Sequence, residues 1–167
     1  FPPRQNRGSY GDGDNDVAME NEGKILFLGG GWKCFSNFSS YEVDIWGKKF
    51  KTSEHAYQYK KFEHDTEVKE RIFDAPSAYD SKMLSIEFKD RQQPDWETKK
   101  VAVMEEILRA KLAQHPHIRK KLLETGDREI VEDSKDDYFW GWGADHTGQN
   151  IHGKLWMKFR EEIQHHD

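Results

Sequence analysis

The sequence predicts a mainly α-helical domain with one small sheet or hairpin, and three observations predict it. Apolar residues recur at helical spacing, as in Val101, Met104, Ile107, Leu108 and Leu112. Strand-like runs are few and short, and they do not alternate with helices as a doubly wound sheet requires. The helical segments differ in length and repeat at no fixed period, which excludes a solenoid. A chain of 167 residues fits one domain with a real core. The mean hydropathy of -1.02 and 34% charged residues look polar for that. The aromatic content of 13%, with six Trp, offsets this by concentrating apolar area in a few large side chains.

Charge and cysteine narrow the function classes. A formal net charge of -5 argues against broad, non-specific nucleic-acid binding, which needs a basic surface. It leaves room for a local cationic pocket around one phosphate or pyrophosphate. No apolar run approaches the length of a membrane span, and no signal peptide is visible. Phe1 is not a natural start, so the sequence reads as a fragment or a processed chain. Cys34 is the single cysteine and has no internal disulfide partner, which permits a reducing compartment.

Residues 1–23 hold Pro-Pro and Gly-Asp-Gly-Asp-Asn-Asp with almost no large apolar side chains, so a disordered tail is expected there, followed by a domain over 24–167. Lys24 to Leu28 reads as a short strand. Gly29-Gly30-Gly31 lacks the spacing and the Lys-Ser/Thr of a P-loop, so a flexible turn is expected. Tyr41, Val43 and Ile45 alternate with Glu42, Asp44 and Trp46; Gly47 turns the chain, and Lys48 to Lys51 returns as the second strand of a hairpin. Asn37 just before it is either a turn residue or a reader of a sugar hydroxyl, and its local pattern favours the turn.

Thr52 or Ser53 caps the next helix. Glu54, Gln58 and Lys61 fall at i, i+4 and i+7 and share one face; His55, Tyr59 and Phe62 share another, broadly apolar one. Short helices follow over Thr66 to Phe73 and Ser77 to Phe88. The strongest helix runs from Trp96 to Gln114, with Asp95 as its cap. Lys100 and Lys111 border its apolar stripe. Such a lysine usually lays its stem on the core and sends its amine to water; the sharper alternative is an amine held beside an internal pocket. Trp96 either staples the chain entering the helix or stacks on a flat ligand.

Pro116 breaks that helix, Ile118 to Leu123 forms another, and Gly126 stops it. Ile130 to Asp133 reads as a short strand. In the segment Asp136 to Asp145, glycines interleave with Trp140 and Trp142, a pattern that lets backbone approach a ligand or another segment closely. A final helix from His152 buries Leu155, Trp156, Phe159 and Ile163.

Several standard chemistries find no support. There is no His-Glu-x-x-His zinc pattern, no Gly-x-Ser-x-Gly elbow, no dinucleotide fingerprint, and no cysteine-nucleophile context around Cys34. Carboxylate and amine chemistry with aromatic stacking and hydroxyl-reading amides remains. That set suits a ribosylated heterocycle. Breaking an N-glycosidic bond builds positive charge at the anomeric carbon, which a carboxylate stabilises while an aromatic ring holds the base.

From about Ile25 to Ile163 the chain resembles the YbiA-like, or NADAR, N-glycosidase family. The residues that carry the resemblance are Phe35-Ser36-Asn37-Phe38, Ser53-Glu54-His55 with Gln58 and Lys61-Phe62, and Trp96 with Met104 and Lys111. They continue through Thr125-Gly126, Glu132, Asp137, Trp140-Gly141-x-Gly143, Gly148-x-Asn150, Gly153-Lys154 and Arg160. Leu112 and His152 depart from the family's usual Phe and aliphatic residue, as packing variations.

The resemblance implies a compact YbiA-like helical domain with a small β-hairpin or sheet, and hydrolysis of a ribose–base N-glycosidic bond. Family members remove ADP-ribose from guanine in nucleic acid, or act on phosphoribosylamino-pyrimidine intermediates of riboflavin synthesis. Carried over, Glu54 is the catalytic carboxylate and Lys61 or Lys111 an amine near the ribose, with Lys61 preferred because it shares the Glu54 face. Attack by that lysine on the anomeric carbon would give a Schiff base with the opened sugar. Asn37, Asp137 and Asn150 become candidates for ribose hydroxyls, with turn roles standing level for the last two. Trp96 and Trp140 become stacking candidates, and Phe35, Gln58 and Gly141 further substrate contacts.

No metal and no cofactor are expected. The expected partners are ADP-ribose or a ribosylated base, including ADP-ribosylated nucleic acid contacted locally, with no membrane and a monomeric chain. The expected location is the cytoplasm, with the nucleus as alternative. The leading expectation is an ADP-ribosyl-guanine hydrolase, chosen because the single domain carries no fused partner enzyme of riboflavin synthesis. The rivals are the riboflavin-intermediate N-glycosidase and a non-catalytic ADP-ribose or nucleotide-binding module. Retention of both Glu54 and Lys61 argues against that module.

Overall fold

The computed structural model describes residues 23–166, so the tail expected over 1–23 lies almost wholly outside the described residues. The chain forms two compact units, one of residues up to Ser36 together with His117 onward, the other of Asn37–Pro116.

The second unit carries a hairpin and four helices. Strands β2 (Val43–Ile45) and β3 (Lys48–Phe50) pair antiparallel, with Val43 opposite Phe50. Both residues of their two-residue turn, Trp46 and Gly47, have positive φ (55° and 77°), the combination whose twist matches a right-twisted hairpin. Trp46 is held there by donating from Nε1 to Glu106 at 3.0 Å. Helix α1 (Ser53–Lys61) follows, then α2 (Thr66–Asp74), α3 (Ala78–Glu87) and α4 (Trp96–Gln114). Thr52, Asp65 and Ser77 cap the first three by accepting from the backbone N–H three residues on. Helix α1 packs against all the other three. That position explains its burial: every residue from Ser53 to Tyr59 is buried, the Glu54 and Gln58 face included.

Helix α4 keeps its expected bounds and the centre of its expected stripe, Met104, Ile107 and Leu108, which are buried. The ends of the stripe differ: Val101 is exposed and Leu112 half-buried, while Trp96, Val103 and Lys111 are buried with the central three. The two lysines part company. Lys100 is half-buried and pairs with the exposed Glu97 at 2.7 Å. Lys111 is fully enclosed, at 0% exposure. Asp95 makes no capping hydrogen bond and pairs with Lys99 at 3.1 Å instead.

The first unit contains an arrangement that local pattern does not announce. Strands β1 (Ile25–Phe27) and β4 (Ile130–Glu132) pair in parallel, Ile25 opposite Ile130, across more than a hundred residues. Gly29-Gly30-Gly31 is not simply a turn; from Gly30 the chain winds a 3₁₀ helix to Phe35. Helix α5 (Pro116–Glu124) starts on the proline expected only to break its predecessor, because the first helical position needs no N–H. Helix α6 (Ile151–His166) packs on β4, and Gly153 makes that possible: a Cβ there would lie 2.0 Å from the Ile130 carbonyl oxygen. Ile163 on α6 is half-buried rather than part of the closed stripe. No helix among the described residues is long and apolar enough to cross a membrane.

Candidate active site

Helix α1 sets the site. Its Thr52 cap fixes the first turn, and the Glu54 N–H, which has no partner within the helix, donates to the Asn37 carbonyl at 3.1 Å. Glu54 is 7% exposed, and Gln58 one turn on donates Nε2 to Glu54 Oε2 at 2.7 Å. The amide of Asn37 turns the other way, Nδ2 lying 3.4 Å from Met104 Sδ on α4. Two amide oxygens, Asn37 Oδ1 and Gln58 Oε1, and the Ser53 hydroxyl at the start of α1 are buried without a protein hydrogen-bond partner. Leaving such a group unmade costs about 1–3 kcal/mol, which a hydrogen from a bound water or ligand would relieve.

Lys61 completes the α1 face. Its amine lies 3.3 Å from Ser85 Oγ on α3, 5.3 Å from the Tyr57 ring centroid and 6.0 Å from that of Trp96. Tyr57 and Trp96 meet edge to face with centroids 5.2 Å apart. Burial pushes the Lys61 amine below the usual lysine range, helped by the cations of Lys100 and Lys82 and opposed by Glu54 and Glu97. Lys111 occupies the other end of α4, about 22 Å along the axis from Trp96 at 1.5 Å per residue. There it meets Ser39 Oγ at 3.4 Å and the Tyr41 ring at 5.5 Å. Trp96 itself is 2% exposed, packed under Tyr57 rather than presented to solvent.

Of the expected site residues, Asn37, Glu54, Gln58, Lys61, Trp96 and Lys111 all belong to the second unit, and the first four of these are tied together on or against α1. Phe35, Asp137, Trp140, Gly141 and Asn150 belong to the first unit. There Phe35 is fully buried among Phe27, Trp32 and Trp156, and its carbonyl accepts from Trp156 Nε1 at 3.1 Å. Asp137 Oδ1 accepts from the Phe139 and Trp140 backbone at 3.0 and 2.8 Å, the turn role left level with a sugar contact. Trp140 is half-buried, its ring edge-on to Phe139. Gly141 lies against Glu132, whose carbonyl oxygen a Cβ would approach to 2.9 Å. Both amide atoms of Asn150 are engaged with β4 backbone. The departure at His152 is more than packing: Nδ1 lies 2.8 Å from Glu132 Oε1.

Two neighbours escaped the sequence reading. Tyr57 stands at i+3 from Glu54 and i−4 from Lys61, so helical periodicity could have placed it beside both. Ser85 gave no signal, because only tertiary packing brings α3 to Lys61.

The opposite side of α1 borders a cavity of about 590 Å³, lined among others by Phe38, Lys51, Thr52, His55, Ser77 and His115. None of Glu54, Gln58 and Lys61 lines it, so volume and chemistry point to different sides of the helix. The carboxylate side is the one that carries a buried acid, an amine and unmet acceptors. His55 on the cavity side is structural: Nε2 donates to the Ala75 carbonyl at 3.0 Å, and the Thr52 hydroxyl donates to Nδ1 at 2.7 Å. Among the described residues no group of three or more His, Cys, Asp or Glu is placed to hold a metal ion.

Comparison with known proteins bears on this arrangement. The model of one family, the NADAR domain, matches residues 27–164. An N-glycosidase of Nostoc punctiforme is 38% identical over 133 residues, covering 78% of this chain and 85% of that protein. A riboflavin biosynthesis protein of Vibrio vulnificus is also 38% identical, over 131 residues and 78% of this chain; the match spans only 35% of that longer protein. The N-glycosidase YbiA of Escherichia coli is 36% identical over 132 residues, covering 77% of this chain and 80% of its own. Its NMR structure superimposes with a TM-score of 0.72, covering 84% of each chain at 34% identity.

Proposed function

The chain belongs to the NADAR domain family and is a hydrolase acting on N-glycosyl bonds, and from that premise we propose that the bond it cleaves joins ADP-ribose to guanine. The observation that carries the catalytic reading is Glu54: a buried carboxylate, held at one oxygen by Gln58, on the helix face that also bears a desolvated amine. As the C–N bond stretches, positive charge grows on the anomeric carbon, and a carboxylate fixed in a water-poor site stabilises it without reorganising.

Lys61 supplies the nucleophile in this reading. Its neutral amine forms a bond to the anomeric carbon while the ribose–base bond breaks, and the base leaves with its bonding pair and takes up a proton. Ring opening gives the Schiff base, and water then adds, returning the amine and releasing the sugar. Depression of the amine below the usual lysine range by burial enlarges the neutral, nucleophilic fraction at any given pH. The substrate would be met as a free nucleotide or on nucleic acid contacted locally, which suits a chain with a formal net charge of -5. Such substrates are found inside the cell, in the cytoplasm or the nucleus.

The name of the Vibrio vulnificus relative favours a second reading, hydrolysis of a phosphoribosylamino-pyrimidine of riboflavin synthesis. One experiment separates the readings. Wild type and Glu54→Ala are incubated with an ADP-ribosylated guanine oligonucleotide and with the pyrimidine intermediate. The expected result is release from the oligonucleotide, slowed about 10²–10⁴-fold in the variant. Release from the intermediate alone would transfer the assignment to the second reading. Equal rates for both proteins would remove Glu54 from the mechanism.

A further inference from the structure

Gln58 is a buried amide with one half engaged. Nε2 donates to Glu54 Oε2 at 2.7 Å, and Oε1 is enclosed with no protein donor. The reverse orientation would set an amide oxygen against a carboxylate oxygen, two acceptors in contact, so Glu54 dictates which way the amide faces. Asn37 repeats the arrangement from another segment. Its carbonyl accepts the Glu54 N–H, its Nδ2 engages Met104, and its Oδ1 is buried and unmet. The two residues are 5% and 8% exposed, so bulk water does not readily complete them. Unlike the Ser53 hydroxyl, which is also unmet at the start of α1, these two unmet atoms are carbonyl oxygens and neither can donate. Whatever completes them must carry polar hydrogens, which excludes a phosphate at this point.

Resting on the N-glycosidase reading above, we propose that Gln58 Oε1, seconded by Asn37 Oδ1, accepts hydrogen bonds from the substrate and selects it by its polar hydrogens. Gln58 thus has two functions on one amide: it aims Glu54 through Nε2 and reads the ligand through Oε1. Two parts of a ribosylated base offer such hydrogens, the hydroxyls of the ribose and the N–H edge of the purine. A site built around unmet acceptors discriminates strongly against an analogue that lacks the donor, because the acceptor then stays buried and unpaired.

The test is equilibrium binding by calorimetry, read without turnover. The probes are ADP-ribose against its analogue lacking the 2-hydroxyl of the terminal ribose, and guanosine against inosine, which lacks the exocyclic amine. Wild type is expected to bind the complete member of one pair roughly tenfold or more tightly. Gln58→Met, similar in length and without the amide, is expected to close that gap while the thermal midpoint stays near that of wild type. The pair that closes identifies the donor as sugar or base. Asn37→Leu provides a second variant on a different segment, for which the gap should narrow in the same pair. A gap that persists undiminished in both folded variants, or no gap in wild type, overturns the proposal. Wild type that shows the gap but hydrolyses no ribosylated base overturns the N-glycosidase reading alone. Wild type that binds none of the four probes overturns both.

Discussion

The side-chain amide of Asn150 donates to the Ile130 carbonyl at 2.9 Å, and its Oδ1 accepts from the Glu132 N–H at the same distance. One side chain thereby pairs with β4 as a neighbouring strand would. Its backbone sits at φ 52°, a left-handed conformation that asparagine tolerates better than most residues. Asn150→Ala should therefore cost about 2–4 kcal/mol, from two lost hydrogen bonds and an unfavourable φ. Urea denaturation measures this. If stability is unchanged and only substrate affinity falls, Asn150 reads ribose and the structural assignment is wrong.

Gly153 tests the same contact from the helix side. An added methyl would meet the Ile130 carbonyl oxygen at 2.0 Å and the Asn150 amide at 2.5 Å, and backbone on β4 cannot yield as a flexible side chain would. Gly153→Ala, ordinarily helpful inside a helix, should destabilise by about 3 kcal/mol here. A more stable variant in the same denaturation experiment would mean that α6 slides freely on β4.

How far the sequence announced these features depends on the range over which each is determined. Helix α4 was legible to its ends because apolar spacing, Pro94 and Pro116 are local signals. The hairpin was legible through Gly47. The parallel pairing of β1 with β4 was not, because nothing local joins Ile25 to Ile130. The face formed by Glu54, Gln58 and Lys61 followed from periodicity, but periodicity alone does not decide whether such a polar face is buried. Its burial comes from three helices packing around α1. Lys111 illustrates the limit most clearly. A lysine bordering an apolar stripe ordinarily snorkels to water, and only the tertiary fold encloses it completely.

His55 gives a prediction for pH. Burial lowers its folded value below the ordinary 6.5, with the Ala75 carbonyl opposing and Lys51 assisting the shift. The unfolded chain therefore binds more protons than the folded one as pH falls below about 6.5. Stability from this source is complete above that pH, declines below it, and stops declining once the folded group titrates too. Urea midpoints for wild type and His55→Gln between pH 7.5 and 5 measure the difference. The variant should be less stable at the upper end but show a shallower acid decline. Parallel declines would mean that carboxylates, not His55, control the acid limb.

Lys61 and Lys111 can be separated by trapping the covalent intermediate. The Lys61 amine lies below its ordinary 10.5 because of burial, so its neutral fraction grows as pH rises through the folded value. Borohydride added during turnover should fix the sugar to Lys61, with more adduct at pH 9 than at pH 6, and peptide mapping by mass spectrometry should locate it. Lys61→Met should lose the adduct and at least about 10³-fold in kcat. Its stability at neutral pH should be unchanged or higher, because a cation held in a desolvating site is replaced by an apolar chain of similar length. Lys111→Met keeps the adduct in this scheme. Adduct mapped to Lys111 would exchange the roles of the two lysines, and no adduct at any pH would leave Glu54 acting through water, without a covalent intermediate.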